Sequence, residues 1–283
     1  MSTNTLKNRV LSMLLVLVMV VSILPIQVLG ADGGATTVIT SGGEVAFNVY
    51  KDAVAYANQH DGSTIKLQSD IDVLTYEDPA DMPFITGNVT LDLNGKSINC
   101  VDVGSVSFDE EGEIVKDKAG TLTVTGSGSI GLLTMYCGAL TLNSGTVEEL
   151  KAEDFAATVH ITGGTVGSLV LSLRWDDNAT ADISGGSVQK LDLGTGTVNI
   201  TGGSHGSETA SWGVNGGTLN ISGGSFSALR LLVTSGKIDI TGGEFEYIST
   251  DPQVPSSEYQ KLTMGSLLGD SCAFYSKDGS LVS

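Results

Sequence analysis

From about residue 60 to residue 250 the apolar residues of this chain alternate with polar ones, as in Val198-Asn199-Ile200 and Leu219-Asn220-Ile221. A period of two predicts strands with one face buried, whereas a helix would repeat its apolar positions every three to four residues. The alternation returns with a fixed ending. His160-Ile161-Thr162-Gly163-Gly164, Asp182-Ile183-Ser184-Gly185-Gly186, Asn199-Ile200-Thr201-Gly202-Gly203, Asn220-Ile221-Ser222-Gly223-Gly224 and Asp239-Ile240-Thr241-Gly242-Gly243 are five copies of one phrase, with isoleucine-to-isoleucine steps of 22, 17, 21 and 19 residues. Degenerate copies precede them, centred on Leu142, Val124 and Leu93, with Leu67 as the first. A second apolar segment follows several of the glycine pairs, as in Val166 to Leu171 and Val188 to Leu193.

About nine units of roughly twenty residues result, each too small to bury an apolar face alone, so they must stack. Each unit reads as one coil, and coils stacked at the ~4.8 Å strand spacing make an all-β parallel β-helix (solenoid) roughly 40 Å long. A leucine-rich repeat would show its asparagine and a constant length, which Leu169-Val170-Leu171 and Leu191-Asp192-Leu193 lack. An open solenoid end exposes unpaired backbone, so both ends need covers. Residues 44–64 are expected to form the N-terminal cap. Within it Asn48 caps a helix over about Val49 to Gln59 that turns Tyr50, Ala53, Val54 and Ala57 inward. The coils are expected over 65–250 and a C-terminal cap over 251–283, all in one domain spanning 31–283.

Three phrases carry a family resemblance: the repeated Ile-Thr/Ser-Gly-Gly, Val89-Thr90-Leu91-Asp92-Leu93-Asn94-Gly95-Lys96-Ser97-Ile98, and Leu267-Leu268-Gly269-Asp270-Ser271-Cys272-Ala273-Phe274-Tyr275. In these the chain resembles right-handed parallel β-helix proteins of the pectin-lyase-like superfamily, in particular extracellular surface proteins of Gram-positive bacteria. The resemblance implies a right-handed coil and an extracellular setting. It does not choose an activity, because that scaffold carries lyases, hydrolases, adhesins and stalks alike.

Residues 1–30 agree with that setting. Lys7 and Arg9 precede an apolar run from Val10 to Leu24, then Pro25 and small residues at Gly30 and Ala31, the layout of a secretory signal peptide. The run is about 15 residues, short of the ~20 that span a bilayer. The full chain of 283 residues carries 14 basic and 32 acidic side chains, a net charge of −18. Without Lys7 and Arg9, 12 basic and 32 acidic residues remain, a net −20. Such a chain repels nucleic-acid phosphates and anionic lipid, so neither nucleic acid nor, after signal cleavage, a membrane is expected as partner. Secretion is the expected outcome, free or associated with a cell surface; no Leu-Pro-x-Thr-Gly sorting phrase occurs.

The candidate chemistry lies in side chains that point outward. One column of the repeat reads Asp92, Thr123, Thr141, His160, Asp182, Asn199, Asn220 and Asp239, and a hydroxyl column lies two residues later, at Thr125, Thr162, Ser184, Thr201, Ser222 and Thr241. Stacked hydroxyls and amides are expected to hydrogen-bond up the ladder. Both tryptophans fall in expanded loops, Ser172 to Thr180 and Ser204 to Gly217. Trp175 and Trp212 precede their strand centres by eight and nine residues, which places them at one corner two coils, or ~10 Å, apart. Exposed there beside Arg174, Asp176, Asp177 and His205 they would stack on sugars, so an extracellular polysaccharide or other cell-surface ligand is the expected partner. The competing arrangement folds each indole back over its own corner.

A polysaccharide lyase or glycoside hydrolase is the alternative. Clustered acids for Ca²⁺, a basic proton acceptor or two carboxyls ~5–9.5 Å apart are what such enzymes need. Asp176-Asp177 and Ser204-His205-Gly206 match polygalacturonase phrases in part only. No cofactor motif or dedicated metal loop is present, and Cys100, Cys137 and Cys272 lack metal-ligand spacing, so no cofactor, metal or catalytic residue is assigned. The thiols are expected to be small buried groups; a Cys100–Cys137 disulfide would need both on neighbouring turns.

Overall fold

The computed structural model describes residues 34–73, 82–108, 114–152, 157–171, 179–207 and 209–250. The described residues open with an antiparallel hairpin, β1 (Thr36–Thr40) and β2 (Gly43–Phe47), followed by helix α1 (Tyr50–Ala57). The helix buries Tyr50, Ala53, Val54 and Ala57, the stripe its spacing predicts. Its N-cap is Val49, with no side-chain cap bond, so Asn48 does not cap it. The cover also starts earlier than residue 44: β1 pairs antiparallel with β3 (Ser63–Leu67) and occupies the first edge of the stack.

Each coil then contributes two strands. In chain order these are β4 (Asn88–Asp92) and β5 (Lys96–Val103), then, after an antiparallel excursion of β6 (Ser105–Phe108) and β7 (Ile114–Lys118), β8 (Gly120–Thr125) and β9 (Gly128–Met135). There follow β10 (Gly138–Leu142) and β11 (Thr146–Ala152), β12 (Thr158–Ile161) and β13 (Thr165–Leu171), β14 (Thr180–Ile183) and β15 (Ser187–Leu193), β16 (Thr197–Ile200) and β17 (Ser204–Gly206). A continuous 34-residue run, β18 (Trp212–Phe245), and β19 (Ile248–Thr250) complete the described stack.

The first strands of successive coils form one parallel ladder, β3–β4–β8–β10–β12–β14–β16 and then Thr218–Ile221 of β18. The second strands form another, β5–β9–β11–β13–β15. This is the parallel β-helix that the repeat predicts, with about 6 complete turns in place of nine. The excess has a structural origin. Among the described residues the unit of β3 has no second strand and pairs with β5 through isolated bridges, Ile71 to Ile98 and Ile85 to Val103, and the last phrases merge into β18.

Inside, Ile65, Leu91, Val124, Leu142, Ile161, Ile183, Ile200 and Ile221 stand in register as one column, each no more than 1% exposed. Fully burying each such side chain is worth about 1.5–3 kcal/mol. The register corrects the placement of the early units, whose centres are Ile65 and Leu91 and not Leu67 and Leu93. Thr90 pairs with Thr123 and Asp92 with Thr125, so Asp92 belongs to the hydroxyl column. The turn after β4 is longer than in later coils and holds Asn94 at φ 50° and Gly95 at φ 76°, which moves the glycine relative to the strand.

The Gly-Gly corners fix the coil spacing. Gly185 lies directly over the Thr162 carbonyl of the preceding coil, inside contact distance of any added methyl, and Gly186 takes φ 68°. Gly163, Gly202, Gly223 and Gly242 face the preceding coil's carbonyls in the same way. Gly185→Ala is expected to cost about 2–4 kcal/mol, because backbone and not a flexible side chain must yield. Ser184→Ala, one residue away on the exposed side, should stay within about 0.5 kcal/mol; urea unfolding of the two variants checks the contrast.

Candidate functional site

The outward face of the first ladder carries three polar columns. The middle one is a directional hydrogen-bond chain: Asn220 Nδ2 donates to Asn199 Oδ1 at 2.8 Å, and Asn199 Nδ2 donates to Asp182 Oδ1 at 2.9 Å. Asp182 Oδ2 also lies 3.5 Å from His160 Nδ1, with both side chains nearly half exposed. In the hydroxyl column, Thr162, Thr201, Ser222 and Thr241 donate to the carbonyls of Leu142, Ile183, Ile200 and Ile221 in the preceding coil, at 3.3–3.5 Å. Both columns therefore tie one coil to the next, as stacked hydroxyls and amides should.

The third column is one the repeat also contains but whose regularity shows only in register. Thr158, Thr180, Thr197 and Thr218 stand directly above one another on four consecutive coils. Ala139 precedes them in the row. Among the described residues none of these four hydroxyls has a hydrogen-bond partner. The signal was a threonine three residues before four of the five repeat isoleucines, as in Thr158-Val159-His160-Ile161.

The aromatic corner is placed differently from expectation. Trp212 is fully buried, and its Nε1 donates to Gln189 O at 3.1 Å. It meets Phe226 and His205 edge-on, at centroid distances of 5.9 and 6.2 Å, while Phe226 stacks on Phe245 at 4.9 Å. The indole folds inward because a wide loop at this end leaves apolar volume that small aliphatic side chains would not fill. Trp212 and His205 are therefore buried within this corner, where solvent-exposed rings were expected. Arg174, Trp175, Asp176 and Asp177 lie outside the described residues.

His205 is 2% exposed and uses both ring nitrogens. Nδ1 accepts from the Val188 N–H at 3.2 Å, and Nε2 donates to Gly202 O at 2.7 Å. The ring replaces a backbone rung just where the pairing of β17 shifts between His205 and Gly206. Burial holds its pKa below the ordinary 6.5.

A second polar group lies near the N-terminal end. Asp102, 8% exposed, accepts from Cys100 Sγ at 3.6 Å, and burial raises its pKa. The Cys100 thiol is pushed up to about 12 by burial and by Asp102, so it is a poor nucleophile. Tyr50 Oη is buried with no partner among the described residues, and its pKa is raised by burial. Cys100 and Cys137 are both free thiols. Among the described residues no three His, Cys, Asp or Glu side chains gather as a metal site, and no helix is long and apolar enough to cross a membrane.

No protein-family model, curated protein or solved structure matches the chain.

Two pH dependences follow. His205 folds with a depressed pKa, so its contribution is complete above about 6.5 and is lost as pH falls through the folded-state value. Wild type should lose urea stability between pH 7 and pH 5 more steeply than His205→Gln, which keeps a donor and an acceptor but cannot protonate. Asp102 shows the opposite sign, because a raised carboxyl pKa weakens the fold as pH rises above the unfolded value. Asp102→Asn should melt at a higher temperature than wild type at pH 7, with the gap closing towards pH 4.

Proposed function

We propose that this chain is an exported, non-enzymatic β-solenoid of the pectin-lyase-like kind, similar to Gram-positive bacterial surface proteins. Its role is adhesion to, or recognition of, an extracellular polymer, with polysaccharide as the first candidate. The observation that carries the reading is the outward face of the first ladder. Four coils present threonine hydroxyls without internal partners, beside an amide ladder whose bonds already hold it in place.

The carboxylates on that face argue against hydrolysis. Asp182 is engaged by Asn199 and His160, and Asp239, three coils away at roughly 14 Å, pairs with Lys237 at 3.8 Å. That separation exceeds what either glycosidase geometry uses. A polysaccharide lyase or glycoside hydrolase on the same scaffold is the second reading. It is favoured by the half-exposed His160–Asp182 pair and by the sequence pair Asp176-Asp177.

A pull-down of the chain on a polysaccharide panel, with the same polymers assayed for new reducing ends and unsaturated products, separates the readings. Retention without turnover is expected, with weaker retention for Trp175→Ala if that loop contributes an aromatic contact. Turnover lost in His160→Ala or Asp182→Asn would replace recognition with catalysis.

A further inference from the structure

We infer that β2 is a docking edge for a second copy of this chain, which pairs with it strand to strand and joins two solenoids head to head, independently of any polymer they recognise. The edge is open. Among the described residues β2 pairs only with β1, from Thr40 opposite Gly43 to Thr36 opposite Phe47. Ser41 and Gly42 form the turn, so Thr40 and Gly43 are the closing hydrogen-bonded pair, and Gly43, Val45 and Phe47 direct their main-chain groups towards β1. Glu44 and Ala46 direct theirs away from the sheet, and both residues are exposed. The strand carries no proline, lysine or register shift, the devices that usually keep an edge single.

The core column also points outward here. Leu91, Ile65 and Val38 stand in register on the inner face, each fully buried, and Val45 follows Val38. Val45 is only partly buried, and among the described residues no strand stands beyond it. A solenoid end that faces water closes on a polar outer surface, whereas this column stops on an apolar side chain. Two large apolar residues that remain exposed, Ile39 at 40% and Val49 at 51%, flank the same edge.

Symmetry makes the strand complementary to itself. A two-fold axis through Val45 lays one β2 antiparallel on the other and sets Glu44 opposite the partner's Ala46, the two exchanging both main-chain hydrogen bonds. Val45 then meets the partner's Val45, so the apolar column runs from one core into the other. Gly43 meets the partner's Phe47, and Phe47 packs against the core, so its ring covers the bare glycine position. Glu44 is the one charged residue of the strand, and in this register it faces alanine; an axis through Glu44 would oppose two carboxylates. A five-residue edge buries less than the ~800 Å² per partner of a stable interface, so the dimer is reversible. The net charge of −18 on each copy opposes it at low ionic strength.

Sedimentation velocity of the full chain over about 5–500 µM tests the pairing. Wild type is expected to pass reversibly from monomer to dimer and no further, because a closed two-fold uses up the edge. Association should be tighter in about 0.5 M than in about 0.05 M NaCl. Ala46→Glu opposes carboxylates at two symmetric pairs and should weaken the dimer about tenfold or more. Ala46→Lys faces the partner's Glu44 and should associate at least as tightly as wild type. Adding Glu44→Lys to Ala46→Glu should restore association, a rescue that separates repulsion at the edge from a damaged cap. Equal association of wild type and Ala46→Glu would place the contact elsewhere, the apolar run Val10 to Leu24 included, and overturn the proposal. Weakening by Ala46→Lys as well as Ala46→Glu would overturn the pairing centred on Val45. A monomer at every concentration would overturn the second copy as occupant and leave the edge to an extended segment of another protein.

Discussion

The rest of the structure depends on how closely one coil can approach the next at its corner. Gly163, Gly185, Gly202, Gly223 and Gly242 each face a main-chain carbonyl of the coil before, closer than any β-carbon tolerates. Because the corners stack without side chains between them, the strands that leave those corners stay at hydrogen-bonding distance and in constant register. Over β12, β14, β16 and β18 that register is unbroken, which turns a loosely spaced phrase into straight columns. A larger residue at one corner would displace every column in its coil.

Columns of like residues carry opposite risks inside and outside. Inside, stacked isoleucine, leucine and valine bury apolar surface cumulatively, and a parallel ladder covered on its inner face is what such residues favour. Outside, stacked polar groups must be satisfied or solvated. Here the hydroxyl column bonds to main-chain carbonyls and the amide column bonds to itself, ending on the acceptor Asp182. An all-carboxylate column would repel itself up the stack, whereas an amide donates to the rung below and accepts from the rung above.

Much of this was legible because a repeat states its own spacing. The five late phrases gave their register correctly, and α1 buries the four residues its spacing indicated. The early units were misplaced by two residues for a physical reason: a slip of one would turn apolar residues outward, but a slip of two preserves the alternation. Asp92 was therefore assigned to the wrong column, and only hydrogen-bonded pairing with Thr125 distinguishes the two registers. The hairpin β1–β2 lay beyond the repeat, and its antiparallel pairing leaves no periodic mark. Trp212 illustrates a different limit. Its loop length was readable, but whether an indole faces solvent or closes its own corner depends on free volume between coils. Phe226, Phe245 and His205 define that volume from far along the chain.

The two ends of the described stack solve the same problem by different means. At the start, backbone is covered by backbone, since β1 lies antiparallel on β3 and α1 packs across them. Towards the other end the pairing becomes irregular, and side chains take over: the imidazole of His205 supplies the acceptor for Val188 N–H, and aromatic rings fill the interior. In a stack whose stability comes from nearest-neighbour contacts, the coils furthest from both ends fluctuate least. The threonine row begins several coils after the cap and lies on the most regular pairings of the ladder. The face presented there is held in shape by the same register that holds the fold, so its rigidity comes from stacking.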